Sequence, residues 1–145
     1  MKYLVFIFLL LIVTSFRKGD DVKTLLCHKW IQFASKASTD LTTKPMPADV
    51  IRECIFRKSG YYEDIMDEDT QMAAGKWVLS PDQKKMEFRL TTINGQHIPE
   101  LPESAHRFNI VILRLTKDTL IYGKEVYNNK GEPIGHDDSY FVKEE

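Results

Sequence analysis

Two short runs gather the side chains that bind metals or move protons: Glu63, Asp64, Asp67, Glu68 and Asp69, and then His136-Asp137-Asp138. Carboxylates at that density are the oxygen ligands a hard cation such as calcium takes. The acidic run lacks the sixth-position glycine and the closing glutamate of an EF-hand loop, so it reads as a solvated acidic segment at a strand end. An imidazole beside two carboxylates would suit a general base or a zinc ligand. The other histidines, His28, His97 and His106, are too scattered for any His-x-His or His-x-x-x-His pairing, and His136 reads as a surface residue in a turn. There is no Gly-x-Ser-x-Gly nucleophile turn, and the seven glycines are dispersed rather than gathered into a phosphate-cradling loop. The expectation is a protein that is not an enzyme and takes no metal and no cofactor.

Cys27 and Cys54 are the only thiols. In an exported chain they would form a disulfide, closing a loop worth roughly 3.5 kcal/mol of unfolded-state freedom. The alternative is two separate buried thiols.

Export is read from the start of the chain. Lys2 precedes an apolar run from Tyr3 to Val13, followed by Thr14, Ser15, Phe16 and the charged Arg17-Lys18-Gly19-Asp20-Asp21. The run is shorter than the ~18 residues of a spanning helix and has the layout of a signal peptide over residues 1–15, cleaved after Ser15. Arg17 and Lys18 favour the other outcome, an uncleaved N-terminal anchor. No cysteine directly follows the run to take a lipid. The expected location is secreted or periplasmic, with no stable membrane span after cleavage. Residues 16–24 read as a flexible linker and 25–145 as a single domain. The 145 residues carry 20 Lys plus Arg against 21 Asp plus Glu, which leaves no electrostatic footprint for nucleic acid.

The elements that must position these groups are strands. Trp77 and Leu79 share one face and Lys76, Val78 and Ser80 the other. After Pro81-Asp82-Gln83-Lys84, Met86, Phe88 and Leu90 alternate with Lys85, Glu87, Arg89 and Thr91. Period two around a Pro-Asp turn predicts a β-hairpin with one wet face. Phe108 to Leu115 is apolar on both parities and predicts a central strand, with Leu120 to Tyr127 and a last strand near Ser139 to Val142 completing a meander. Earlier, Leu25 to Phe33, Val50 to Lys58 and Tyr61 to Met66 read as strands, with a long loop from Ala34 to Ala48 that could serve as a lid. The sum is an all-β fold, a single antiparallel up-and-down β-barrel of about eight strands, with an open β-sandwich as the alternative.

Four segments carry a resemblance: Leu25-Leu26-Cys27-His28-Lys29-Trp30; Cys54-Ile55-Phe56-Arg57-Lys58-Ser59-Gly60-Tyr61-Tyr62; Gly75-Lys76-Trp77-Val78-Leu79; and Val111-Ile112-Leu113-Arg114-Leu115-Thr116 with Asp118-Thr119-Leu120. In that order they resemble the Leu-Leu-x-Gly-x-Trp strand, Phe-x-x-x-Gly-x-Tyr hairpin, Gly-x-Trp strand and Leu-x-x-Asp-x-Leu hairpin of the exported lipocalin-like domain proteins of Bacteroidetes. The resemblance spans nearly all of the mature chain. It departs from the family at His28, where a glycine is usual, and in lacking the family's common lipoprotein cysteine. It implies a lipocalin-like, calyx-shaped barrel with an apolar cavity, and no catalytic residues.

Two functional readings follow. In the first, Trp77, Leu79, Met86, Phe88, Ile110, Ile112 and Tyr122 face inward and line a site for a small apolar or amphipathic ligand. In the second the barrel is solid, and exposed aromatics such as Tyr61, Tyr62, Tyr127 and Tyr140 engage an envelope protein or a glycan.

Overall fold

The computed structural model describes residues 21–67, 70–98 and 107–145. The expected signal peptide, the first residues of the expected linker, Glu68, Asp69 and His106 lie outside the described residues. The described residues open with one helical turn, α1 (Val22–Leu26), and continue in ten strands. These are β1 (Lys29–Lys36), β2 (Lys44–Pro45), β3 (Arg52–Phe56), β4 (Tyr61–Met66), β5 (Thr70–Leu79), β6 (Lys85–Ile93), β7 (Gln96–His97), β8 (Arg107–Leu115), β9 (Thr119–Tyr127) and β10 (Pro133–Lys143).

Every pairing is antiparallel, and the sheet runs β10-β9-β8-β6-β5-β4-β3-β1 before closing on itself through β1 and β10. That last ladder extends from Trp30 opposite Lys143 to Lys36 opposite Asp138, which makes an eight-stranded closed barrel and excludes the open sandwich. The two-residue strands β2 and β7 are side branches on β1 and β6. Closure demands curvature, and bulges supply it at Gln32/Ala34, Asp64/Ile65, Ala74/Gly75 and Ile112/Arg114. At the β5–β6 bulge, where Thr91 on β6 is the extra residue, the two backbones come so close that a Cβ on Gly75 would sit 2.1 Å from the Arg89 carbonyl oxygen, so glycine alone fits there.

Because successive strands alternate in direction, the interior sorts into two ends. At one, Trp30 near the start of β1, Phe56 at the end of β3, Trp77 late in β5, Met86 early in β6, Leu120 early in β9 and Phe141 late in β10 pack into a single buried cluster. Leu26, the last residue of α1, is fully buried against it and plugs that end. Both tryptophans keep their indole N–H satisfied. Trp30 Nε1 donates to the Leu26 carbonyl at 2.9 Å, and Trp77 Nε1 to the Tyr61 carbonyl at 3.1 Å. Outside, Lys29 Nζ bridges Glu53 on β3 at 2.8 Å and Glu144 just past β10 at 3.0 Å, tying together the strands that flank β1.

The structure corrects the sequence reading in four places. Residues 22–26 form a helix rather than linker and strand. Asp21 caps it, its carboxylate accepting from Lys23 N, and β1 starts only at Lys29. The stretch from Ala34 to Ala48 is not all loop, because β1 runs on to Lys36 and β2 returns against it. Strand β8 is not buried on both faces: a closed barrel has no central strand, and Leu113 is 44% exposed on its outer side. Finally, His136, Asp137 and Asp138 lie inside β10, opposite Glu125, Lys124 and Gly123, and not in a turn.

Candidate functional site

At the end opposite α1 the interior turns polar. On β3 the inward positions are Arg52, Cys54 and Phe56, and on β4 Tyr62, Asp64 and Met66, which pair as Phe56 with Tyr62, Cys54 with Asp64 and Arg52 with Met66. The same alternation that buries Phe56 and Tyr62 therefore carries Arg52 and Asp64 inside the wall. They meet in a two-pronged ion pair, Arg52 Nε donating to Asp64 Oδ1 at 2.9 Å and Nη2 to Oδ2 at 2.6 Å. Arg52 Nη1 donates to Gln32 Oε1 at 3.2 Å, and Gln32 Nε2 in turn to the Ala34 carbonyl at 3.2 Å. Tyr62 donates its hydroxyl to Asp64 Oδ2 at 3.3 Å. The Cys54 sulfur lies 4.0 Å from the Tyr62 hydroxyl and 3.8 Å from that of Tyr122.

Burial shapes the electrostatics. Asp64 and Gln32 are buried, while the Arg52 side chain remains 32% exposed, so water reaches the guanidinium from the polar end. The hydrogen bonds that Arg52 donates to the Asp64 carboxylate hold it firmly in its charged form. Burial pushes the Cys54 thiol up to about 12 and raises both tyrosine hydroxyls well above their usual range, so all three stay neutral. Asp64 and Gln32 occupy three of the five guanidinium N–H groups, leaving the others for a further acceptor.

An aromatic path links this cluster to a second cation. Tyr62 meets Phe88 edge-on with centroids 4.7 Å apart, Phe88 stacks on Phe108 at 4.9 Å and 6°, and Lys124 Nζ stands 5.4 Å from the Phe108 ring centre. Phe108, Leu90 and Lys124 line a depression of about 520 Å³, together with Arg107, Asn109, Glu125 and Tyr127. The Glu125 carboxylate there is already engaged, by Lys85 Nζ at 3.0 Å and the Tyr127 hydroxyl at 2.7 Å.

The structure brings all seven inward residues expected from sequence into one packed cluster. Trp77, Met86, Phe88, Ile110 and Tyr122 are buried, and Leu79 and Ile112 are half-buried against them. Among them Tyr122 reaches the polar group with its hydroxyl, and Phe88 packs on the Tyr62 ring. Cys27 and Cys54 form no bridge: Cys54 is fully buried between the two tyrosine hydroxyls, and Cys27 ends α1 as a separate, half-buried thiol. Of the acidic run, Glu63 pairs with Arg57 at 2.7 Å, Asp67 caps the Ile51 N–H, and Asp64 lies inside the barrel rather than in solvent. The tyrosines of the second reading do not share a patch. Tyr61 starts β4 near the plugged end, Tyr127 ends β9 at the polar end, and Tyr62 is buried.

Arg52, Asp64, Gln32 and Lys124 were missed from sequence. Only for Lys124 was a signal present, two residues from Tyr122, which was expected inward; Tyr62 was expected to be exposed, so its parity gave no lead to Asp64.

The fold matches that of a lipocalin-like protein from Bacteroides uniformis, with a TM-score of 0.52 at 15% sequence identity over 83% of this chain and 99% of that one. No protein-family model and no curated protein matches the chain. At that identity the likeness carries the fold alone, a lipocalin-like closed antiparallel barrel.

Proposed function

We propose that this chain is an exported, non-enzymatic barrel that holds a small apolar or amphipathic ligand at its polar end. The observation that carries the reading is the contrast between the two ends. The plugged end is filled by Leu26, Trp30, Phe56 and Trp77, whereas at the other a half-exposed Arg52 stands over buried Asp64 and Gln32, with the Phe108 depression alongside. A barrel that only had to be solid would place apolar side chains at those inward positions, since a buried ion pair contributes little to stability over a well-packed apolar substitute. Export is supported by the leader-like residues 1–15, and sequencing the N-terminus of the protein recovered from its native host tests it: a start at Phe16 agrees, and an intact Met1 overturns cleavage. Equilibrium titration with a panel of fluorescent amphiphiles tests ligand binding. Saturable binding of at least one member is expected, and none across the panel would overturn the reading.

A further inference from the structure

We infer that the fork where β8 and β9 part at the polar end takes an uncharged, extended segment of a partner protein, which adds as a strand to the open edge of β9. This goes beyond the ligand reading and does not depend on it, because the contacts come from main chain in the wall rather than from the interior.

Register makes the fork. Strand β8 starts at Arg107 and β9 ends at Tyr127, yet the ladder that joins them runs only from Leu115 opposite Leu120 to Ile110 opposite Lys124. Beyond that pair the two strands separate. Residues 107–109 stay with β6, Phe108 opposite Phe88, and residues 125–127 stay with β10, Glu125 opposite His136 and Tyr127 opposite Pro133. The depression of about 520 Å³ lies between the two arms, with Phe108 and Asn109 on one and Glu125 and Tyr127 on the other.

Strand alternation decides which main-chain groups face it. Ile112 N donates to the Lys84 carbonyl, so the even-numbered residues of β8 turn their main chain to β6, and Asn109 turns its own to the fork. Lys143 N donates to the Asp118 carbonyl, so the even-numbered residues of β9 serve β10, and Glu125 and Tyr127 face the fork. Tyr127 has no ladder partner on that side among the described residues. Such an edge is what a strand from another chain pairs with. Wall bounds the fork on both sides, so it admits one strand without neighbours of its own, which the sheet edge of a second folded barrel is not.

Charge and packing set the chemistry of the segment. Arg107 lies 3.4 Å from Glu87, Glu125 is held by Lys85 at 3.0 Å, and Lys124 at the base of the fork stands opposite Asp137 on β10. With each charge matched, the fork has no net charge to offer an acidic or a basic segment. The Phe108 ring is already covered by Phe88 and Lys124, so the attraction is main-chain hydrogen bonding. The arms are short, and the contact is accordingly weak and transient.

Amide-resolved NMR titration of the intact protein, up to millimolar peptide, tests this with the capped peptide acetyl-Thr-Val-Thr-Val-Thr-amide. In the free protein the Tyr127 amide is expected to exchange at least about tenfold faster than that of Val111 within the ladder. The peptide is expected to slow Tyr127 exchange several-fold and to give saturable shifts at Asn109, Glu125 and Tyr127. The same peptide N-methylated at every second residue is expected to do neither, and versions with lysine or glutamate in place of the valines to bind at least about threefold more weakly. Equal shifts from the N-methylated peptide, saturable shifts confined to other parts of the barrel, or no shift from any peptide overturns the assignment. A free protein that sediments as a dimer with Tyr127 already protected also overturns it, giving the edge to a second copy. None of these outcomes touches the ligand reading, whose test is the amphiphile panel.

Discussion

Arg52 grips Asp64 through two parallel hydrogen bonds of 2.9 and 2.6 Å inside the wall of the barrel, with Tyr62 and Gln32 completing the contacts of the pair. The arrangement spends hydrogen-bonding capacity on fixing a guanidinium that solvent still reaches. Asp64 is thus a positioning residue, and Arg52 is the group it presents.

Removing one member of that pair should cost far more than removing both. Asp64→Ala leaves the Arg52 charge against Tyr62 and Cys54 without a counterion, an expected loss of about 3 kcal/mol. Replacing both Arg52 and Asp64 by leucine should recover much of that loss. Urea unfolding of the single and double variants measures it, and equal losses in the two would show that the pairing is not what the single variant destroys.

Gly75→Ala should destabilise the barrel by more than about 2 kcal/mol, because the added methyl meets backbone on β6 rather than a side chain that can turn away. Gly131→Ala is the control: nothing lies within 4 Å of its Cβ, and its φ of +76° carries only the ordinary penalty of about 1 kcal/mol for a left-handed alanine. A smaller loss at Gly75 than at Gly131 would refute the close-approach argument.

What the sequence made legible follows from which signals are local. The β5–β6 hairpin is plain because Trp77 and Leu79 alternate with charged neighbours and Pro81-Asp82 punctuates them, and the structure pairs Trp77 with Phe88 and Leu79 with Met86. Strand β8 misled because its outward residues are also aliphatic, so burial could not be read from parity. Helix α1 is five residues long, too short for any periodicity, and its place is set by Leu26 packing into the buried cluster that Trp30 shares with residues far along the chain, such as Phe56 and Phe141. The site was hidden for a related reason. Asp64 belongs to a run of acids that looks solvated, and only the pairing of β3 with β4 shows that its parity is that of Tyr62.

If α1 plugs the barrel, Leu26→Ala should cost about 2 to 5 kcal/mol although it lies in a five-residue helix at the edge of the fold. An exposed neighbour, Thr24→Ala, should be near neutral. Thermal midpoints of the two variants separate a plug from a loosely attached turn, since a frayed turn would show small effects at both positions.

The two thiols should behave differently from each other. In denaturant without reductant both are expected to titrate as free, and in the native protein only Cys27 should react at pH 8, because Cys54 is fully buried and its thiolate is disfavoured. Modification followed by peptide mapping distinguishes them. Absence of free thiol in the denatured, unreduced protein would restore the bridge that the structure lacks.

Alkaline stability gives the last test of the buried cluster. Burial raises the Cys54 thiol from 9.0 to about 12, and raises Tyr62 and Tyr122 well above 10.0. Between the unfolded and folded values the native state holds protons that the unfolded chain has released, so stability falls as pH rises. The contribution of Cys54 is intact below about pH 9 and is lost progressively toward 12, at up to about 1.4 kcal/mol per pH unit for one proton. From pH 9 to 10 the two thiols take part, Cys54 more than the half-buried Cys27, which burial also raises, and the tyrosines join above 10. Thermal midpoints measured from pH 7 to 11 should therefore be level at first, decline from about 9 and steepen past 10. Cys54→Ala should flatten the first part of that decline and leave the second. A wild-type curve that stays level to pH 11 would mean that these groups are not buried together as the structure has them.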